Sequence, residues 1–253
     1  MARPVDVERR NKIINVVLTN GRATISELAK MFNVTPETIR KDVTELHEKN
    51  ILQRGHGIVL PASNYTENPL PFKISSHAEE KSRIANCAVS LIRENNVIFI
   101  DSGTTLLQLA NVLNMYENLT IITNSMMAAQ ALSNSKNQLL VTGGELRPKS
   151  YSYVGAWTMR ALRQSNIDIA FMGCDGFHHN GPTVGSYREL EAKEIVLEQA
   201  SKSILLADTS KISLQGLYCY CSYSELDTLI FERELTPDER KCIPESVNIL
   251  KPF

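Results

Sequence analysis

Residues 24–46 read TISELAKMFNVTPETIRKDVTEL, and this stretch decides how the N-terminal part of the chain folds. Ser26 reads as the N-cap of a short helix from Glu27 to Phe32, whose apolar side is Leu28, Ala29 and Phe32. Asn33-Val34 makes a tight turn. Thr35 caps a further helix that opens with Pro36, at the first-turn position proline tolerates best, and runs to about Asn50. Within it Ile39, Val43 and Leu46 recur at helical spacing and form one buried stripe. At about 100° per residue, Glu37, Lys41 and Thr44 point the opposite way, with Thr38 and Arg40 on the flanks.

Working outward, residues 6–20 predict a helix with Ile13, Ile14, Val17 and Leu18 on its apolar side, ended by Asn20-Gly21. Ala23-Thr24-Ile25 is a short extended piece. Downstream, Ile51 to Leu60 places Arg54-Gly55-His56-Gly57 between apolar residues, the pattern of a hairpin. Three helices and a hairpin within sixty residues predict a winged helix-turn-helix. The exposed face of the last helix is short, polar and partly cationic, which suits a major groove. It also suits the solvated face of a small helical domain. On the first reading the DNA-contacting residues are Ser26, Thr35, Glu37, Thr38, Arg40, Lys41 and Thr44, with Arg54 and His56 at the hairpin tip on backbone or minor groove. The charge agrees in sign. Residues 1–60 carry ten Lys/Arg against seven Asp/Glu, a net of +3, and the remainder carries seventeen against twenty-one, a net of −4.

Residues 61–75 hold three prolines and few apolar side chains and read as a linker. Beyond it, apolar runs VIFI (97–100), LTII (119–122), QLLV (138–141), DIAFM (168–172), SILLA (203–207) and TLIF (228–231) alternate with helical stretches at 77–95, 105–114, 125–134, 155–164, 187–201 and 236–242. Such alternation predicts a Rossmann-like, mostly parallel α/β sheet covered on both faces. The organisation expected is a winged helix-turn-helix domain at 1–60, a linker at 61–75 and a larger α/β domain at 76–253.

Composition narrows the class. Apolar residues make up 43% and charged residues 22%, ordinary for a globular protein in water. No apolar run reaches the ~18 residues needed to span a bilayer, and no signal peptide is expected from the N-terminal residues, which lack an apolar stretch. The five cysteines are scattered without a zinc spacing, so reduced thiols, no metal, no cofactor and a cytoplasmic location are expected.

The expected strand ends carry the chemistry. Asp101-Ser102-Gly103-Thr104-Thr105 follows VIFI and opens a helix, where free backbone N–H groups and the helix dipole favour an anion. An N-cap turn without a ligand would use the same residues. The stretch is neither a Walker loop nor a dinucleotide loop. The theme repeats at Thr123-Asn124-Ser125, Gly143-Gly144-Glu145-Leu146-Arg147, Gly173-Cys174-Asp175-Gly176 and Asp208-Thr209-Ser210-Lys211. Ligands of open α/β sheets bind at the carboxyl ends of strands, and the convergence of five such ends argues for a pocket. The candidate ligand-binding residues are Asp101, Ser102, Gly103, Thr104, Thr105, Thr123, Asn124, Gly143, Gly144, Arg147, Gly173, Asp175, Gly176 and Lys211.

Arg9-Arg10, Ile25–Ala29, Phe32–Thr35, Thr38–Asp42, Leu46 and Arg54–Gly57 resemble the head of the DeoR-type repressors of bacterial sugar metabolism. The departure is Gly57-Ile58, where that family commonly has Gly-Gly after the wing histidine. The strand-end motifs, with Glu189–Lys193, resemble the sensor domain of the same family, itself similar to ribose-5-phosphate isomerase. The resemblance implies a repressor of a carbohydrate-utilisation operon that binds double-stranded operator DNA, is controlled by a phosphorylated sugar or related metabolite, and assembles as a homo-oligomer, dimer or tetramer. Isomerase catalysis is the rival reading. It needs a base and a cation at the reacting carbons. Phe177 to Leu190 contains no lysine and no Gly-Gly-Gly, only Asp175 remains of the acidic loop, and Glu191 is the nearest stand-in for a base. The pocket therefore reads as a binding site without chemistry. His178-His179 lacks a third metal ligand. A plain protein-interaction adaptor would need no phosphate-like loops.

Overall fold

The computed structural model describes residues 4–20, 22–48, 51–55, 57–61, 73–74 and 76–252, with the backbone alone for 4–7, 18 and 19. The chain divides into two compact units, Met1–Phe72 and Lys73–Phe253.

The first unit runs α1 (Pro4–Asn20), β1 (Ala23–Thr24), α2 (Ile25–Met31), α3 (Pro36–Glu48), β2 (Leu52–Arg54) and β3 (Ile58–Pro61). Its core is Ile13, Ile14, Val17, Ile25, Leu28, Ile39, Val43, Leu46, Leu52 and Val59, all buried. The expected stripe of α3 therefore faces inward. The cap of α2 is Thr24, not Ser26. Thr24 Oγ1 accepts from the Glu27 N–H at 3.1 Å while the Glu27 carboxylate accepts from the Thr24 N–H at 2.7 Å. Ser26 thus lies inside the first turn and is exposed. The reciprocal bond to Glu27 decides between two adjacent hydroxyls. Thr35 does cap α3, its Oγ1 accepting from the Thr38 N–H at 3.3 Å. The three strands pair antiparallel in the order β1-β3-β2. Gly57 takes φ +75° at the hairpin tip, and Ile58 already belongs to β3, so the wing needs one glycine there and not two. His56 lies outside the described residues. Of the stretch read as a linker, Pro61 belongs to β3, Lys73 opens the second unit, and 62–72 and 75 lie outside the described residues.

Asp42 sits on the inner side of α3, 4% exposed. Arg9 Nε lies 2.7 Å and Arg10 Nε 3.2 Å from its carboxylate. The Arg9-Arg10 pair thus fastens α1 to α3.

The second unit is built on a seven-stranded parallel sheet. Its strands are β4 (Val97–Ile100), β5 (Glu117–Thr123), β6 (Lys136–Val141), β9 (Ile169–Met172), β12 (Ser203–Leu206), β14 (Thr228–Ile230) and β15 (Ile249–Leu250), in the spatial order β15-β14-β12-β9-β4-β5-β6. The buried strands alternate between two cores. Ile98, Ile100, Phe171, Ile204, Leu206 and Ile230 pack under α4 (Ala78–Ala88), α5 (Thr104–Leu113) and α6 (Met126–Leu132). Phe99, Ala170, Met172, Leu205 and Leu229 pack on the other face under α7 (Ala156–Arg163) and α8 (Tyr187–Gln199). A short helix α9 (Pro237–Arg240) follows. Two smaller elements were not foreseen: a hairpin of β7 (Glu145–Arg147) with β8 (Ser152–Val154), and an antiparallel sheet of β10 (Gly176–His178), β11 (Gly181–Val184) and β13 (Tyr218–Cys219). From β4 the chain moves outward through β5 to β6, then returns to the opposite side of β4 as β9. The carboxyl ends of β4 and β9 therefore border the point where strand order reverses, the place where open α/β sheets bind ligands. No helix among the described residues is long and apolar enough to cross a membrane.

Candidate functional site

The first unit presents a polar face. Glu37, Arg40 and Lys41 on α3 are exposed, as are Ser26, Thr35 and Arg54, while Thr38 and Thr44 are half-buried. Arg40 Nη1 lies 2.6 Å from the Glu37 carboxylate, one turn back along the same helix. Lys41 has no ion pair among the described residues. Thr44 Oγ1 donates to the Arg40 carbonyl at 2.8 Å and accepts from Arg54 Nη1 at 3.3 Å. That second bond brings the β2 arginine against α3, so helix and wing form one continuous surface. The sequence reading missed the Glu37–Arg40 pair. Its carboxylate must share or yield Arg40 before the guanidinium can bind a phosphate.

In the second unit the switch point is occupied by a network of charges. Asp101, directly after β4, is 2% exposed. One oxygen accepts from the Ser102 N–H at 2.7 Å and the other from the Gly173 N–H at 3.1 Å. The same second oxygen pairs with Lys193, which arrives from α8 and is 5% exposed. Lys193 Nζ also donates to the Gly173 carbonyl at 2.8 Å, and Tyr220 Oη donates to that carbonyl at 3.1 Å. Burial alone would lower the Lys193 pKa, but the charge and hydrogen bond of Asp101, with Glu189 behind them, outweigh it and hold the ammonium above its ordinary value. The Lys193 ammonium thus faces the buried Asp101 carboxylate directly.

Beside it, α5 begins without a side-chain cap. Its N-cap is Gly103, at φ +135°, which L side chains rarely adopt and which carries no hydroxyl or carboxylate to meet the helix N–H groups. Thr104 and Thr105 stand in the first turn, each 8% exposed. Across the β4–β5 register, Ile100 pairs with Thr123, so Asn124 flanks Asp101. Asn124 is 2% exposed, and its Oδ1 has no hydrogen-bond partner. A buried amide oxygen left unpaired costs about 1–3 kcal/mol, which a ligand that donates to it would recover.

The remaining candidates divide into two groups. Gly143 takes φ +64° with nothing within 4 Å of the position a Cβ would hold, and its carbonyl accepts from Thr158 Oγ1 at 2.6 Å. Gly173 lies against Leu106 and Asp101 and belongs to the network. Lys211, on a short 3₁₀ turn (Thr209–Lys211), is half-buried and acts electrostatically on Asp175 and Lys81. Asp175 is engaged on both oxygens, by Lys73 Nζ at 2.8 Å and by the Gly185 N–H at 2.9 Å. Burial would raise its pKa, but Lys73, then Lys211, hold the carboxyl far below its usual range. Four other candidates have ties within the fold. Thr123 is fully buried and saturated, donating to the Ile100 carbonyl at 2.7 Å and accepting from the Ser125 N–H at 3.0 Å. Gly144, at φ +117°, is demanded by packing, since a Cβ there would lie 2.7 Å from the Val154 carbonyl. Gly176 backs onto the chain at Leu214, with Gln215 N 2.6 Å from the position of a Cβ. Arg147 already bonds Ser150 at 2.9 Å and lies 3.5 Å from the buried Glu189, so its charge is balanced internally.

Three site residues escaped the sequence reading. Lys193 lies within the Glu189–Lys193 motif but three residues beyond the Phe177–Leu190 stretch where an isomerase lysine is expected. Lys81 is 3% exposed, and its Nζ donates to the carbonyls of Lys73 and Ser76. Burial, opposed by Asp208 and aided by Lys211 and Lys73, brings its pKa down to about 8. Lys73 sits in a stretch read as linker. The His178 and His179 rings lie 3.7 Å apart and tilted by 49°, and no cluster of three His, Cys, Asp or Glu able to hold a metal occurs among the described residues.

Comparison with known proteins gives a consistent result. The family model of the DeoR-like helix-turn-helix domain matches residues 9–63, and that of the DeoR C terminal sensor domain matches residues 76–233. The chain is 32% identical to the HTH-type transcriptional regulator IolR of Bacillus subtilis, over 87% of this chain and 88% of that protein. It is 31% identical to the glycerol-3-phosphate regulon repressor of Escherichia coli, over 88% of this chain and 89% of that protein. Among solved structures, ribose 5-phosphate isomerase A of Methanocaldococcus jannaschii is similar at a TM-score of 0.41 and 21% identity, covering 54% of this chain and 55% of that one, too remote to carry chemistry. The match of head and sensor models, in that order along one chain, makes this protein a member of the DeoR family of DNA-binding transcription regulators.

Proposed function

We propose that the protein represses a carbohydrate-utilisation operon and that a phosphorylated sugar or related metabolite, bound in the second unit, controls its hold on operator DNA. The observation that carries the effector reading is the uncapped N-terminus of α5 beside the unpaired, buried Oδ1 of Asn124. A phosphate at Ser102–Thr105 meets the first turn of a ten-residue helix that has no side-chain cap, at the positive end of its dipole. Asp101 would repel it, but Lys193 cancels that charge. Lys211 adds attraction, and Asn124 accepts from a ligand hydroxyl. The E. coli relative is named for a regulon of glycerol 3-phosphate, a small phosphorylated molecule of the kind this arrangement suits.

Ser26, Thr35, Glu37, Thr38, Arg40, Lys41, Thr44, Arg54 and His56 are proposed as the operator-facing residues, in a domain that ends near residue 60. A single head reads a short half-site, so the working form is proposed as a dimer or tetramer in the cytoplasm. The test is thermal denaturation of the full chain with sugar phosphates and with the matching free sugars. A ligand at 100 times its Kd stabilises by about 2.7 kcal/mol. Stabilisation by a phosphorylated sugar that its free form does not share is the expected result. Equal shifts from both forms would refute the phosphate site.

A further inference from the structure

The second unit begins at Lys73, and the residue that holds Lys73 belongs to the candidate effector site. Lys73 Nζ lies 2.8 Å from Asp175 Oδ1, with 18% and 20% of the two side chains exposed. The main chain at the same place is fastened separately. Buried Lys81 donates to the carbonyls of Lys73 and Ser76, so an ammonium grips the backbone while a carboxylate grips the side chain. Asp175 in turn stands two residues beyond Gly173, whose N–H and carbonyl bond Asp101 and Lys193 next to the N-terminus of α5. Every link between the proposed phosphate position and the first residue of this unit is therefore a hydrogen bond or a peptide bond. The chain preceding Lys73 leads to the DNA-binding unit.

We propose that the Lys73–Asp175 pair is a latch that fixes the start of the second unit while the effector site is empty, and that an anionic, hydroxylated ligand opens it. The inference rests on the effector reading given above. Its physical basis is competition. Asp175 accepts one bond on each oxygen, from Lys73 and from Gly185, so a ligand hydroxyl that also donates to it draws on the charge that holds these partners and weakens their bonds. A phosphate supplies Lys73 with an alternative anion at the same moment. The Gly185 bond is made within the fold of the sensor, whereas the Lys73 bond holds the point where the chain enters it, so the Lys73 bond is the one that yields. A ligand can shift the equilibrium only as far as it prefers the open latch over the closed one. Coupling of this kind between two sites amounts to roughly 5–150-fold in affinity.

The experiment uses the full chain as wild type, Lys73→Met, Asp175→Asn and the double variant, with circular dichroism to establish folding. Operator affinity is read by fluorescence anisotropy on DNA from upstream of the protein's own gene. Ligand binding is read by thermal shift with glycerol 3-phosphate, glucose 6-phosphate and inorganic phosphate. Without any ligand, Lys73→Met and Asp175→Asn are each expected to move operator affinity at least 5-fold in the same direction, with the double variant no further from wild type than either single one. Affinities within twofold of wild type for both single variants overturn the latch. So does a double variant whose change is the sum of the two, because independent effects mean the pair does not act as a unit. If none of the three probes stabilises wild type, the effector reading loses its support, while the operator arm still decides the latch. Asp175→Asn preserves volume and keeps the test open where Lys73→Met fails to fold.

Discussion

Replacing Lys193 by methionine removes the one cation paired with Asp101 among the described residues and keeps most of the volume. The carboxylate would then be buried at 2% exposure with only two N–H groups, those of Ser102 and Gly173, to offset its charge. Breaking a buried ion pair by deleting one partner costs about 3–5 kcal/mol, and the two backbone bonds place this site near the lower end, at about 3 kcal/mol. For a unit of this size that corresponds to a fall in Tm of roughly 6–12 °C. The second substitution, Asp101→Asn, removes the stranded charge, so the double variant Lys193→Met/Asp101→Asn should recover a large part of the loss. Differential scanning calorimetry on the four proteins gives the coupling directly. The pH sets the conditions. Lys193 has a folded pKa above its ordinary value, so its contribution is complete below about pH 10 and is lost only as the pH rises through the folded value. The variant's deficit should therefore be constant from pH 6 to 9. A fall below 2 °C for Lys193→Met, or a double variant less stable than Lys193→Met alone, would show that Asp101 is not held by this lysine.

Arg40→Ala and Lys41→Ala should each weaken operator binding. A lost phosphate contact lowers the slope of log affinity against log salt by about one unit, and a lost base contact relaxes specificity by roughly 1–3 kcal/mol. Unchanged affinity of both variants at several salt concentrations would remove α3 from the interface. Gly144→Ala should be far more damaging than Gly143→Ala in urea denaturation. Both positions hold a positive φ that costs an alanine about 1–3 kcal/mol, but position 144 adds a clash with the Val154 carbonyl whereas position 143 has open space. Equal midpoints would contradict the hairpin geometry. Lys81, brought down to about 8 by burial, binds fewer protons folded than unfolded between that value and the ordinary lysine value. Wild type should accordingly gain stability relative to Lys81→Met as the pH rises from 8 toward 10, and a difference that stays flat would mean that Lys81 is not depressed.

The strands and helices were legible because each obeyed a period that one sequence can show. Val97–Ile100 and Ile169–Met172 are continuous apolar runs because both faces of a central parallel strand are covered, and Ile39, Val43 and Leu46 repeat at the spacing of a helix with one buried side. The small elements were illegible for the opposite reason. Glu145–Arg147 and Ser152–Val154 are too short for a period, and they pair because of what surrounds them. The cap of α2 shows the same limit at a single residue. Thr24 and Ser26 both have a capping hydroxyl, and only the bond from Glu27 back to Thr24 separates them.

The candidate site was legible as a list and illegible as a circuit. Gly, Thr, Asp and Lys after apolar runs mark strand ends, but the same residue types do different work at different ends. Asp168 and Asp227, at the amino edge of the sheet, accept from the Val97 and Ser203 N–H groups at 2.8 and 2.7 Å and tie neighbouring strands together. Asp101 and Asp175, at the carboxyl edge, face lysines. Only the strand order, with β9 returning beside β4, tells which edge is which and brings Lys193 across to Asp101 from a position 92 residues away in the chain. Arg147 shows the converse. It stands among the candidate ligand-binding residues as a cation, yet Glu189, 42 positions further on, already lies 3.5 Å from it. A cation that a carboxylate of the fold already holds must be shared or released before a ligand can use it. On that criterion the choice between Arg147 and Lys211 falls to Lys211, which has no ion pair within the described residues, and Lys211→Ala should blunt the effector response more than Arg147→Ala does.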